Sequence, residues 1–282
     1  MAVALALPLS LGTVAELSAQ ETEPDSQVID AITTQTIAYI ETGNEDLDRL
    51  SAAGLYGLAR ETYRRTSLEN FYVSDSGGSV QENTLATGQL RVAGVDPEHD
   101  DLSVYPFIYW PMDPGQPALS DQAIENLNNY MDNGGLLFID TRDQVTQNAG
   151  NRRLRLANDN GLDIPTLQAL DGCSDAEEDC HVLGKSFYLL AQFPGRYSGS
   201  SLWVERTEDY RPDGVSRVII GGNDWASAWA IDGEGQPVFP VSDTEQREEA
   251  YRVGVNALMY ALTGNYKSDL IHTPAILERL DR

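Results

Sequence analysis

The 282 residues are 41% apolar and carry 19 Lys plus Arg against 44 Asp plus Glu, a formal charge of −25. That is enough apolar material for a real core in one large domain or two modest ones. So acidic a surface repels a phosphate backbone, which excludes nucleic acid as a partner. Lysine occurs only at Lys185 and Lys267, and an acidic, lysine-poor surface suits solubility, a salty surrounding or a basic partner.

Met1 to Val14 is apolar, too short to span a bilayer but as long as the apolar part of an export signal. No Lys or Arg precedes Arg49, so this reads as a signal whose start lies upstream or as the tail of an apolar segment of a longer chain. Both place the body outside the cytoplasm, exported or anchored at the periplasmic face. Glu21 to Gln27 is a polar linker, so residues 1–27 form leader and linker and residues 28–282 one folded domain.

Thr36–Ile40 has strand composition, and the Gly43-Asn44 turn followed by Glu45-Asp46 starts a helix whose apolar positions recur up to about Arg65. Residues 67–101 read as a loop-rich insertion with one short strand, Gln89 to Ala93. The run Tyr105–Pro111 reads as a buried strand. Ala123, Ile124, Leu127, Tyr130 and Met131 mark a helical face that Asn133-Gly134-Gly135 terminates, and Leu136–Ile139 is the next buried strand. Residues 145–200 form a second decorated region, with a partly helical stretch from Arg152 to Leu170 and an extended segment from His181 to Leu190. Leu202–Glu205 and Val215–Gly221 are strands. Ser242-x-x-Glu245 opens the clearest helix as a capping box, Gly264 closes it, and Pro274 to Leu280 forms a last helix. Alternating strands and helices predict an α/β fold with a mostly parallel central sheet flanked by helices.

Ligands of open α/β sheets gather beyond the carboxyl ends of the strands. Asp140-Thr141-Arg142-Asp143 is the densest polar cluster at such an end. Two carboxylates beside a guanidinium either orient a polar ligand or anchor a loop through a salt bridge. Asp140, Asp143 and Asp224 could also ligate a divalent metal, an idea that Arg142 opposes by its charge. Gly221-Gly222-Asn223-Asp224-Trp225 is the second cluster, either an anion-cradling or a structural turn. Trp110, Trp225 and Trp229 either pack in the core, the expected role of at least two of them, or stand on a rim, where the binding reading places Trp110 and Trp225. Arg252 and Asn256, four apart on the long helix, either reach the crevice or cap a loop. No G-x-G-x-x-G, G-x-x-x-x-G-K-[ST] or G-x-S-x-G motif occurs, so no cofactor is expected. His181, leading into an extended segment, is the one candidate acid–base group. Cys173 and Cys180 flank an acidic loop and are most simply a disulfide, free thiols or a metal site being the alternatives.

Five stretches carry a resemblance: Phe107-Ile108-Tyr109-Trp110-Pro111, Gly134 to Asp143, Phe187-Tyr188-Leu189-Leu190 with Phe193-Pro194-Gly195-Arg196, Ile220 to Asp224, and Tyr251 to Asn256 running on to Leu262 to Lys267. On these the chain resembles a bacterial family known as domain of unknown function 4159. The resemblance implies a flavodoxin-like fold similar to class I glutamine amidotransferases. It also implies the carboxyl-terminal part of a membrane-anchored protein, the anchor lying in a segment mostly missing from this chain. It implies partners in an envelope assembly as well, including MoxR-type ATPases and von Willebrand factor A proteins. An amidotransferase would place a cysteine at a strand-to-helix elbow, where this sequence has none. The expected function is therefore a non-catalytic, envelope-associated module. It would bind a protein partner or small ligand at a strand-end crevice lined by Asp140, Arg142, Asp143, Asn223 and Asp224. The alternative is a metal-assisted hydrolase of envelope material.

Overall fold

The computed structural model describes residues 36–66, 91–147, 149–173, 180–206 and 215–280, with the side chains of 149 and 264–280 excepted. The apolar leader, the linker, most of the first loop-rich region and the acidic loop between the cysteines lie outside the described residues.

Strands β1 (Thr36–Ile40), β2 (Arg91–Val95), β3 (Phe107–Pro111), β4 (Leu136–Asp140), β5 (Leu167–Ala169), β6 (Trp203–Glu205) and β7 (Val218–Gly221) form one sheet in the order β2-β1-β3-β4-β7-β6-β5. All neighbouring pairs from β2 to β7 are parallel, and β6 runs against both β7 and β5. The chain is thus an α/β protein with a mostly parallel sheet. Every residue of β1, β3, β4 and β7 is buried. Their near-continuous apolar runs follow from having helices on both faces.

Alternation along the strands divides the core in two. Ile37, Phe107, Phe138 and Ile219 pack against helices α1 (Glu45–Arg65), α5 (Trp225–Trp229) and α6 (Thr244–Leu280). Ile40, Ile108, Leu137 and Ile220 pack with Leu127 and Met131 of α2 (Asp121–Asp132) and Ala157 of α4 (Ala149–Asp159).

Local chemistry sets the helix ends. Asn44 caps α1 by accepting from the Leu47 amide, with Glu45, Asp46 and Asp48 in the first turn and Arg64 and Arg65 in the last, each complementing the helix dipole. Ser120 caps α2, and Gly134 at φ +96° closes it. The start of α6 differs from expectation: Asp243, one residue beyond Ser242, accepts from the Gln246 amide at 2.7 Å, a carboxylate being at least as good a cap as a hydroxyl. α6 also runs through Gly264 and Pro274 as one helix where a stop and a second helix were expected; glycine lowers helix stability without forbidding it, and the proline forgoes one backbone hydrogen bond.

The expected strand at Gln89 to Ala93 falls two residues later and is a member of the central sheet, paired along its whole length with β1. His181 to Leu190 is not extended. It holds a 3₁₀ turn, Val182–Lys185, followed by irregular chain. Asn256 dictates this conformation from α6, because its buried amide donates to the Leu183 and Tyr188 carbonyls and accepts from the Tyr188 amide. A strand ladder is replaced by one side chain.

α1 and α5 approach backbone to backbone. A Cβ on Gly57 would lie 2.0 Å from the Trp229 carbonyl oxygen, and one on Gly54 2.6 Å from that of Ala226. Gly57→Ala ordinarily gains helix propensity. Here it is expected to lower stability by about 2 kcal/mol through overpacking, read as a reduced urea midpoint at unchanged slope.

Candidate functional site

β3, β4 and β7 lie side by side and end together, with Pro111 beside Asp140 and Asp140 beside Gly221. After β4 the chain turns through Arg142, at φ 51°, into the short helix α3 (Asp143–Thr146). After β7 it turns through Asp224, at φ 56°, into α5. These two strand-to-helix turns are neighbours of the same kind. Thr141 binds them by donating its amide (2.6 Å) and hydroxyl (2.9 Å) to the Gly221 carbonyl. Gly221 and Gly222 leave no room for side chains: a Cβ would stand 2.3 Å from the Trp225 ring or 2.7 Å from the Asp143 carboxylate.

Asp140 is wholly buried at the centre. Its Oδ2 accepts from the Tyr109 hydroxyl and the Trp225 amide, both at 2.7 Å. Its Oδ1 accepts from the amides of Arg142 at 3.0 Å and Asp224 at 3.3 Å. Burial foremost, and then the nearby Asp224 charge, push its pKa up to about 7, against the donors that favour the carboxylate. Asp224, also wholly buried, accepts from Arg142 Nε at 3.1 Å and faces Arg196 at 3.7 Å. Among the described residues its Oδ2 has no hydrogen-bond partner, nor has the buried Oδ1 of Asp143. Burial and the Asp140 charge hold the Tyr109 hydroxyl well above the usual phenol range.

Asp140, Arg142, Asp143, Asn223 and Asp224 therefore lie at adjacent strand ends, with Asp140, Asn223 and Asp224 buried and Arg142 and Asp143 half-buried at their edge, and not as the walls of one crevice. Trp110 and Trp225 are not on a rim. Both are fully buried, with indole N–H groups donating to Gln116 and to the Pro194 carbonyl, because a bulky ring at a central strand end is covered by the next layer. Arg252 and Asn256 belong elsewhere. Arg252 pairs with Glu248 and Glu249 and lies over the Tyr188 ring, while Asn256 holds the 183–188 turn. His181 is no acid–base group of this site: its Nδ1 accepts from the Leu183 amide at 3.1 Å, and burial lowers its pKa to about 4. Cys173 and Cys180 are disulfide-bonded. Among the described residues no group of three or more His, Cys, Asp or Glu is placed to hold a metal ion, and the acceptor oxygens of Asp140 are taken by protein donors.

The open space at this end of the sheet lies beside the charged core. A cavity of about 240 Å³ is walled by the segments 170–172, 191–194 and 198–202. Asn223 holds two of these walls from behind. It donates to the carbonyls of Phe193 (3.0 Å) and Ser200 (2.9 Å) and accepts from the Ser200 amide (2.9 Å). The disulfide adjoins the third wall at Gly172, where the Cys173 amide donates to the Leu190 carbonyl at 2.7 Å. Sequence reading missed Tyr109, Arg196 and this serine-rich lining. The signal for Tyr109 was present, since a hydroxyl inside a buried strand must find a partner.

The family described as Domain of unknown function (DUF4159) matches residues 36–262, and the chain belongs to that family. No curated protein matches it.

The Asp140 carboxyl carbon is expected to titrate near pH 7 by ¹³C NMR and not near the usual value of about 4. Because the folded value is raised, the stability this group contributes is full below the unfolded value and is lost as pH rises through about 7. Stability measured against pH should fall across that window.

Proposed function

We propose that this domain is a non-catalytic binding module of the bacterial envelope, exposed outside the cytoplasm, that takes a small polar group of a ligand or partner protein in the strand-end cavity. The observation that carries this reading is the division of labour around Asn223. Asp140 and Asp224 are wholly buried, the first held by four protein donors and the second paired with the half-buried Arg142. The solvent-facing space is lined by Ser198, Ser200, Ser201, Gln192 and backbone groups over Phe193 and Pro194, with Asp171 at its edge.

Such a lining offers hydrogen bonds of both senses and little charge, which suits a hydroxylated or amide-bearing group. At about 240 Å³ the cavity is below the range of about 300–1,000 Å³ typical for drug-sized ligands, so a single sugar- or amino-acid-sized unit is the right scale. The disulfide supports the location, because such bonds persist in oxidising compartments. Within the described residues no helix is long and apolar enough to cross a membrane. Attachment to the membrane, and an assembly containing MoxR-type ATPases or von Willebrand factor A proteins, rest on the family resemblance and belong to this proposal.

Titration with neutral sugars and amino-acid amides, followed by amide NMR, is expected to move resonances in 170–172, 191–194 and 198–202. Ser201→Trp, which fills the exposed cavity without touching the charged core, should abolish those shifts while leaving the unfolding midpoint near wild type. Shifts that persist in this variant, or that fall elsewhere, would overturn the reading. Separately, Cys173→Ser with Cys180→Ser is expected to cost about 2–3 kcal/mol, from the entropy of the released loop, and to speed hydrogen exchange at 171–173 and 190–191.

A further inference from the structure

A second and larger cavity, about 410 Å³, opens between α1 and the beginning of α6, with Arg64, Arg65, Arg247, Glu61, Glu248 and Tyr251 in its lining. On a chain of formal charge −25, this lining holds more cations than anions.

The arginines differ in how far their charge is answered. Arg65 is fully engaged: two parallel hydrogen bonds of 2.7 Å reach Glu248, a third of 3.0 Å reaches Glu61, and its guanidinium lies over the Tyr251 ring. Among the described residues Arg64 has one ion pair, with Glu61, and its side chain is 62% accessible. Arg247 has no carboxylate partner among the described residues. Its two terminal nitrogens donate to the carbonyls of Ala228 (2.6 Å) and Phe239. Those dipoles satisfy geometry but supply no counter-charge, and partial burial pushes the guanidinium below its usual range. A partly desolvated cation with no counter-ion is an incomplete arrangement. The two glutamates cannot complete it, because each is shared between two arginines, Glu61 by Arg64 and Arg65 and Glu248 by Arg65 and Arg252.

We propose that this groove binds a small polyvalent oxyanion, a phosphate or polycarboxylate group, between Arg64 and Arg247. Both sources present oxygen acceptors that fit the exposed guanidinium fork of Arg64 and supply the counter-charge that the carbonyl partners of Arg247 do not. Arg64 reaches the anion by exchanging a solvent-exposed ion pair, which is worth little. Arg65 stays fixed by Glu248 and forms the floor.

The test is titration of the intact protein with inorganic phosphate and, separately, citrate, each against chloride at matched ionic strength. The arginine Nε–Hε resonances report binding. Saturable shifts of Arg64 and Arg247 with a Kd on the order of 1 mM are expected, and the anion that produces them identifies phosphoryl or polycarboxylate as the natural group. Arg64→Gln, at an exposed position, should weaken binding about tenfold. Glu248→Gln, which frees the Arg65 fork, should tighten it about threefold. The proposal is overturned if neither anion moves these resonances beyond the chloride control, or if Arg64→Gln binds as wild type does.

Discussion

Four donors converge on one buried carboxylate, and the end of the sheet is built around that convergence. Asp140 joins β3 through the Tyr109 hydroxyl, its own turn through the Arg142 amide, and the β7–α5 turn through the amides of Asp224 and Trp225. An isolated charge in this environment would cost several kcal/mol, and the donors offset that cost only while all of them stay in register. The carboxylate therefore fixes the separation of three parallel strands at the point where their ladder ends. It also aims α5 so that Trp225 and Trp229 meet Phe138 edge-on, at 5.1 and 6.2 Å between centroids.

From that anchor, order passes outward in steps. Trp225 holds the Pro194 carbonyl and Asn223 the Phe193 and Ser200 backbone, so the loops nearest solvent are shaped by residues that never reach it. Asn256 does the same for the turn at 183–188, and the disulfide joins Cys180, just ahead of that turn, to Cys173. A rigid interior of this kind lets irregular loops present backbone groups reproducibly, which is what a polar binding cavity requires.

Much of this was legible in the chain because burial on both faces leaves a plain mark. Phe107–Pro111, Leu136–Ile139 and Val218–Gly221 stand out as buried runs, and Glu45-Asp46 after the Gly43-Asn44 turn marks the start of α1. Convergence of Asp140, Arg142 and Asp224 could be read from polar residues at adjacent strand ends. What could not be read was the direction in which those groups face. Tryptophan composition fits a rim as well as a core, and only the covering loop after Gln192 decides that Trp225 is inside. His181 to Leu190 is as apolar as a strand, yet a single amide on α6 organises it, a long-range cause that local pattern does not contain. The same holds for β2, whose sequence Arg-Val-Ala-Gly-Val is weakly patterned and gains its place from pairing with β1.

Arg142 and Asp224 both adopt left-handed backbone conformations, with φ of 51° and 56°, a region that costs a residue with a side chain about 1 kcal/mol or more relative to glycine. Glycine would relax either turn. It would also take from Asp224 its nearer cation, leaving Arg196 at 3.7 Å, or from Arg142 the buried carboxylate it donates to. Evolutionary drift at these two sites should accordingly be correlated, descendants either retaining both members or replacing both, which makes the pair a two-letter signature for recognising distant homologues that share this strand-end architecture.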